Sequence, residues 1–186
     1  IAVADAVERG LQRREAEGKN TSDMTPVCTI MVGRLDDWLK IVADRENILI
    51  DPAYLDMAGV AVMKRAVHIY RERGCRLRML TAAYRSQLHW SMLMGGGIIH
   101  TIPYQWQLRY NGSDVEIRET TDEPMDPQVI HDLSRKFEDF RKAYEPDGLT
   151  VAEFDDFGAT KRTLKQFIGG YHQLLDILRD FMIPGV

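Results

Sequence analysis

Three short apolar runs, separated by stretches of helical spacing, constrain this chain more than any other feature. They cover residues 27–32, 77–83 and 98–102, and Val, Ile and Thr recur in them. Pro26 and Gly33 bound the first, Gly74 precedes the second, and Gly97 and Pro103 bound the third. Apolar runs of this length between Gly and Pro read as strands rather than helices. Residues 27–32 are apolar at nearly every position, which predicts a parallel strand covered by helices on both faces.

Helical patterns fill the intervals. Residues 2–17 place Val3, Val7 and Leu11 on one face, and Gly18-Lys19-Asn20 ends that helix. After Gly33-Arg34 a helix carries Trp38, Leu39 and Ile41, with Asp36 or Asp37 as its cap. Asp51-Pro52 opens a longer helix to about Arg73, with Leu55, Val60, Met63, Val67 and Tyr70 apolar. A short helix over 85–94 breaks at Gly95-Gly96-Gly97, and one or two turns follow over 104–110. Residues 111–127 are polar and turn-rich, so they read as an exposed loop. Helical spacing returns over 128–143 and over 159–182. The last has Leu164, Phe167, Ile168, Tyr171, Leu174, Leu175 and Leu178 on its apolar side. Strands alternating with helices give an α/β fold class with parallel strands and right-handed crossovers.

Composition sets the outer limits. The chain has 186 residues, 45% hydrophobic and 28% charged, the make-up of one ordinary globular unit. A net charge of −4 argues against a general nucleic-acid partner. No apolar run approaches the ~20 residues that span a bilayer, so no membrane partner is expected. Two cysteines, Cys28 and Cys75, both beside apolar runs, read as reduced buried thiols of a cytoplasmic protein. The chain opens at Ile1-Ala2-Val3-Ala4 without an initiator Met, and this start reads as the middle of an element in a truncated, partial or processed chain.

The candidate chemistry lies where the runs end. Arg34 follows the first and Arg85 the second. A guanidinium stays charged at any working pH and offers a planar fork of donors suited to phosphate. Neighbouring parallel strands lie ~4.8 Å apart, so two arginines leaving adjacent strand ends can converge on one anion. A helix expected after each arginine adds N–H donors. The ordinary alternative is a solvated arginine or half an ion pair, with Asp36 and Asp37 close to Arg34. His89 and His100 read as packed or capped histidines. Trp38, Trp90 and Trp106 read as core or rim residues. Lys161, Arg162 and Lys165 read as a solvated face. No His, Cys, Asp and Glu set has zinc-ligand spacing, so no metal or other cofactor is expected. Lys19, Lys40, Lys64, Lys136, Lys142, Lys161 and Lys165 all fall on expected helices or loops. A nucleophilic lysine needs a desolvated setting, and none is expected on a strand, so no catalytic residue is assigned in this chain.

With these residues in hand, the chain resembles the C-terminal half of transaldolases and related class I aldolases. Ile30-Met31-Val32-Gly33-Arg34-Leu35-Asp36-Asp37-Trp38 is similar to that family's Phe-Val-Gly-Arg…Asp-Trp stretch at its sixth barrel strand. Met79-Leu80-Thr81-Ala82-Ala83-Tyr84-Arg85 is similar to the Met-x-Ala-Ser-Phe-Arg stretch at the seventh. Gly96-Gly97-Ile98-Ile99-His100-Thr101-Ile102-Pro103 is similar to the Gly-x-Asp-x-x-Thr-Ile-x-Pro stretch at the eighth. The similarity covers about residues 1–105 and, more loosely, the terminal helix. It implies a (β/α)8 TIM-barrel-like fold, of which this chain holds the C-terminal portion, about three strands. It implies Schiff-base aldol transfer or cleavage on a sugar phosphate in the intact protein. It places Arg34 and Arg85 at the substrate phosphate and Thr29 where a ligand-facing serine usually stands. Ala83 replaces a second serine, so one hydroxyl contact is missing.

Residues 1–109 are then expected to form the barrel portion, and 110–186 a loop and helical segment packed on it. Three strands cannot close, so both sheet edges would need a second copy or a missing N-terminal portion. Two other readings stand beside this one. One is a non-catalytic module binding sugar phosphate through Arg34 and Arg85. The other is an assembly protein using the acidic 111–127 loop.

Overall fold

The computed structural model describes residues 1–182 and is α/β, with a three-stranded parallel sheet. The elements run α1 Ala2–Ala16, β1 Val27–Met31, α2 Val32–Arg45, α3 Pro52–Leu55, α4 Ala58–Glu72 and β2 Arg78–Ala82. Then come α5 Leu88–Ser91, β3 Ile99–His100, α6 Tyr104–Asn111, α7 Pro127–Lys136, α8 Glu138–Tyr144, a 3-10 turn Val151–Glu153 and α9 Gly158–Met182. Residues 183–186 of the expected C-terminal segment lie outside the described part.

The sheet order is β1-β2-β3, with Val27 paired to Arg78, Met31 to Ala82, and Leu80 to Ile99. β1 is therefore an edge strand, and its expected cover on both faces is absent. Val27 and Met31 are 44% and 38% exposed and Thr29 is also exposed, while Cys28 and Ile30 on the opposite face are half-buried. On β2, Met79 and Thr81 are buried, and Leu80 and Ala82 are only half-buried. Helices thus cover one face of the sheet well and the other poorly. This open face is unusual for parallel strands, which commonly carry helices on both sides.

Two apolar cores flank α4. One gathers Val60, Met63, Val67 and Tyr70 of α4 with Met79, Tyr84, Trp90 and Leu93 under the sheet. The other joins Leu35, Leu39 and Val42 of α2 to Ala58, Ala61, Leu133, Phe137 and Phe140. The two glycines at these crossings have a steric reason. A Cβ on Gly59 would overlap the Val32 carbonyl, and one on Gly33 would overlap the Ala83 carbonyl. Backbone therefore meets backbone where α4 crosses the start of α2, and where α2 crosses the end of β2.

Several expected elements are shorter or divided. The helix expected over 52–73 splits into α3 and α4. The Asp51 carboxylate caps α3 by accepting from the Ala53 N–H at 2.9 Å. The helix expected over 128–143 splits at Phe137, which is extended and buried, so that α7 meets α3 while α8 meets α4 and α2. The expected helix 85–94 is reduced to α5, and the third strand to two residues. Residues 111–127 are anchored rather than simply exposed. Thr120 and Thr121 are buried, and their N–H groups donate to the Met94 carbonyl at 3.0 and 3.1 Å. Cys28 and Cys75 form no disulfide and are half-buried, where buried thiols were expected, and Cys28 Sγ accepts from the Tyr70 hydroxyl at 3.9 Å.

Candidate anion site at the strand ends

β1 and β2 are in register, so Arg34 lies three residues beyond Met31 and Arg85 three beyond its partner Ala82. The two arginines therefore occupy equivalent places at the carboxyl ends of neighbouring parallel strands. Ligands in open α/β sheets bind at such ends. Gly33 lies between their backbones: the Arg85 side chain runs against it, and Arg34 is the next residue in the chain.

The local structure differs from a strand followed by a loop. α2 starts at Val32 without a side-chain cap, so Arg34 lies inside its first turn rather than ahead of it. Asp36 and Asp37 do not cap α2. Both reach other elements. The Asp37 carboxylate accepts from the Arg85 Nε at 3.0 Å, and this ion pair is partly exposed. Arg85 also donates from Nη1 to the Tyr84 carbonyl at 3.0 Å. Arg34 turns toward α9, where it donates to Gln166 and lies 5.7 Å from the centre of the Phe167 ring. It borders a cavity of about 320 Å³ whose other walls include Met31, Thr163 and Leu164. Thr29 borders a second cavity of about 420 Å³, with Arg65 and Tyr144. The structure brings Arg34 and Arg85 to one end of the sheet, gives each its own partner, and does not bring Thr29 into the Arg34 cavity.

Beneath the arginines is a node that the sequence reading missed. Asp36 and His89 are both fully buried and bonded at 2.6 Å. The other Asp36 oxygen accepts from the Gly59 N–H at 2.7 Å, serving the start of α4, whose own cap position has no side-chain bond. His89 Nδ1 accepts from the Arg85 N–H at 2.9 Å. That bond fixes the tautomer: Nε2 carries the proton and donates to Asp36. Burial pushes the Asp36 carboxyl above its usual range, against the pull of His89 and the Gly59 N–H. Both imidazole nitrogens are used inside the protein, so the pair positions Arg85 and offers no base to a ligand. The only hint in the sequence is that His89 follows Arg85 by four residues.

A second, half-buried pair joins the segment after β2 to β3. His100 Nε2 donates to the Leu93 carbonyl at 3.1 Å, so Nδ1 accepts from the Tyr84 hydroxyl at 2.7 Å. Burial lowers the His100 pKa and raises that of Tyr84. Ala83, between β2 and this network, has φ +62°, a left-handed conformation that few non-glycine residues adopt.

Lys64 lies on a helix, as expected from the sequence, and its burial there is what the sequence did not announce. It is 4% exposed, and its ammonium donates to the Thr120 and Glu123 carbonyls at 2.8 Å each. Burial lowers its pKa. It faces no cavity of the arginine pair and fastens residues 120–123 to α4. The strands carry no lysine. Among the described residues no three His, Cys, Asp or Glu groups gather to hold a metal ion, and no helix is long and apolar enough to cross a membrane. Comparison with protein-family models, with curated proteins and with solved structures finds no match to this chain.

Proposed function

We propose that this chain is the C-terminal portion of a transaldolase-like α/β barrel of cytoplasmic sugar-phosphate metabolism, and that its part is to bind the substrate's phosphate group. The observation that carries the reading is the shared register of Arg34 and Arg85 at the carboxyl ends of β1 and β2. Both arginines have partners that an anion can displace. Asp37 is an exposed-side ion partner of Arg85, and Gln166 is a neutral partner of Arg34. Exposed ion pairs of this kind contribute only ~0–1 kcal/mol, less than a charge-assisted bond to phosphate. The first N–H groups of α2 lie beside Arg34 and add donors. Schiff-base aldol transfer or cleavage is proposed only for a longer protein that supplies a strand lysine.

The absence of lysine from the three strands favours a second reading, in which the same arginines bind sugar phosphate without covalent chemistry. Calorimetry with a ketose phosphate and with inorganic phosphate tests the part common to both. Saturable binding is expected, weakened about tenfold or more by either Arg34→Ala or Arg85→Ala, the loss of one charge-assisted contact of ~1.5–3 kcal/mol. Absence of heat at millimolar ligand, or equal binding by the double variant, would overturn it.

A further inference from the structure

We propose that α9 pairs with the α9 of a second copy of this chain, the two helices running antiparallel about Tyr171. This rests on the helix alone and is independent of the phosphate reading.

α9 meets the body of the protein along one stripe. Ala159 and Thr163 are buried there, and Gln166 reaches Arg34. The apolar side touches the body only at Leu164 and Phe167, which border the Arg34 cavity, and faces outward beyond them. Leu164, Phe167, Ile168, Tyr171, Leu174 and Leu178 are each about half exposed, between 49% and 59%, and Phe181 is 84% exposed. Seven to nine large apolar groups in one strip are far beyond the scattered exposure of an ordinary surface, and such strips mark interaction sites.

The pattern itself points to the occupant. Its steps of three and four residues keep a heptad spacing from Leu164 to Met182, the periodicity of helices that pair. It is also symmetric about Tyr171. Reversing a second copy sets Leu164 against Leu178, Phe167 against Leu175, Ile168 against Leu174, and Tyr171 against itself. Each of these seven positions then meets an apolar position, while Ile177 and Phe181 come opposite Lys165 and Lys161. Charge agrees with this direction. Lys161, Arg162 and Lys165 make the first turns basic, while Asp176 and Asp180 stand at the other end with Arg179. Antiparallel pairing sets the basic end beside the carboxylates and opposes the helix dipoles, whereas parallel pairing stacks like on like. The strip spans about 27 Å of helix and offers apolar surface on the order of the ~800 Å² per partner of a standard interface.

Sedimentation velocity and light scattering on the full chain should give a dimer mass at micromolar concentration. Leu174→Glu, on an exposed position away from both cores, should give the monomer mass with an unchanged circular dichroism spectrum. Direction is read by cysteine cross-linking under mild oxidation. Tyr171→Cys should join to itself, and Leu164→Cys should join to Leu178→Cys but not to itself. A monomer at all concentrations, a dimer indifferent to Leu174→Glu, or Leu164→Cys joining to itself as readily as Tyr171→Cys would each overturn the proposal. A monomer that binds anionic lipid vesicles through α9 would overturn it as well.

Discussion

Asp36 gives each of its two oxygens to a donor: the Gly59 N–H on one side and the His89 Nε2–H on the other. An amide cannot replace it. In either orientation the NH₂ group of Asn would face a donor in a fully buried site. Asp36→Asn is therefore expected to lose about 2–4 kcal/mol, as buried charged partners do when one is removed. Urea unfolding followed by tryptophan fluorescence reads this, and a loss under 1 kcal/mol would mean the node is not formed. Ala83 predicts the opposite sign. Its φ of +62° costs an L-residue roughly 1 kcal/mol that glycine does not incur. Ala83→Gly should leave stability unchanged or raise it by up to about 1 kcal/mol in the same measurement, although it lies beside the candidate site.

At the scale of elements, α4 carries a lysine whose work is to hold a loop. Lys64 spans from the helix to two carbonyls of residues 120–123, and Thr120 and Thr121 hydroxyls tie the same segment to Ser91 and Met94. Lys64→Met keeps the apolar stem but removes the ammonium from the Glu123 carbonyl and leaves the Thr120 carbonyl with the Glu123 N–H alone, at a cost of about 1–3 kcal/mol for the segment. Hydrogen exchange should then speed up locally over 115–125, while α4 and the strands keep their protection. Uniform loss of protection would show that the segment is part of the global core instead. The loop, its anchoring included, was not legible in sequence, because its polar residues bond to elements 26 to 59 residues away. What could be read was local. Strands follow from β-branched runs, and α3 and α7 start at Asp-Pro pairs whose carboxylates cap them. The three glycines at 95–97 mark a left-handed stretch that other residues resist. The place of Arg34 and Arg85 at strand ends was legible for the same reason. Their partners Asp37 and Gln166, and the Asp36–His89 pair, depend on close backbone approach at Gly33 and Gly59, which no local pattern announces.

For the whole molecule, the response to acid tests whether the buried polar network is intact. His100 is neutral in the fold, accepting from Tyr84 and donating to Leu93, and burial holds its pKa below the usual value of roughly 6.5. The unfolded chain therefore takes up a proton before the folded one. By linkage, this residue's contribution is fully present above the unfolded value and is lost as pH falls from there through the folded value. Asp36 acts in the other direction. Its raised folded pKa favours the protonated form, so its contribution grows as pH falls through the folded value toward the unfolded value near 4. The two contributions have opposite signs, so the His100 effect is read as the difference between the wild-type protein and a variant lacking only that imidazole. Between about pH 7 and pH 5 the wild-type protein should lose stability relative to His100→Gln, which cannot take a proton, even though the variant is less stable at pH 7. Urea midpoints measured across this range decide the matter. An equal slope in both proteins would mean that His100 already titrates normally in the fold, and that the closed Tyr84–His100–Leu93 chain at the end of the sheet is not what holds it.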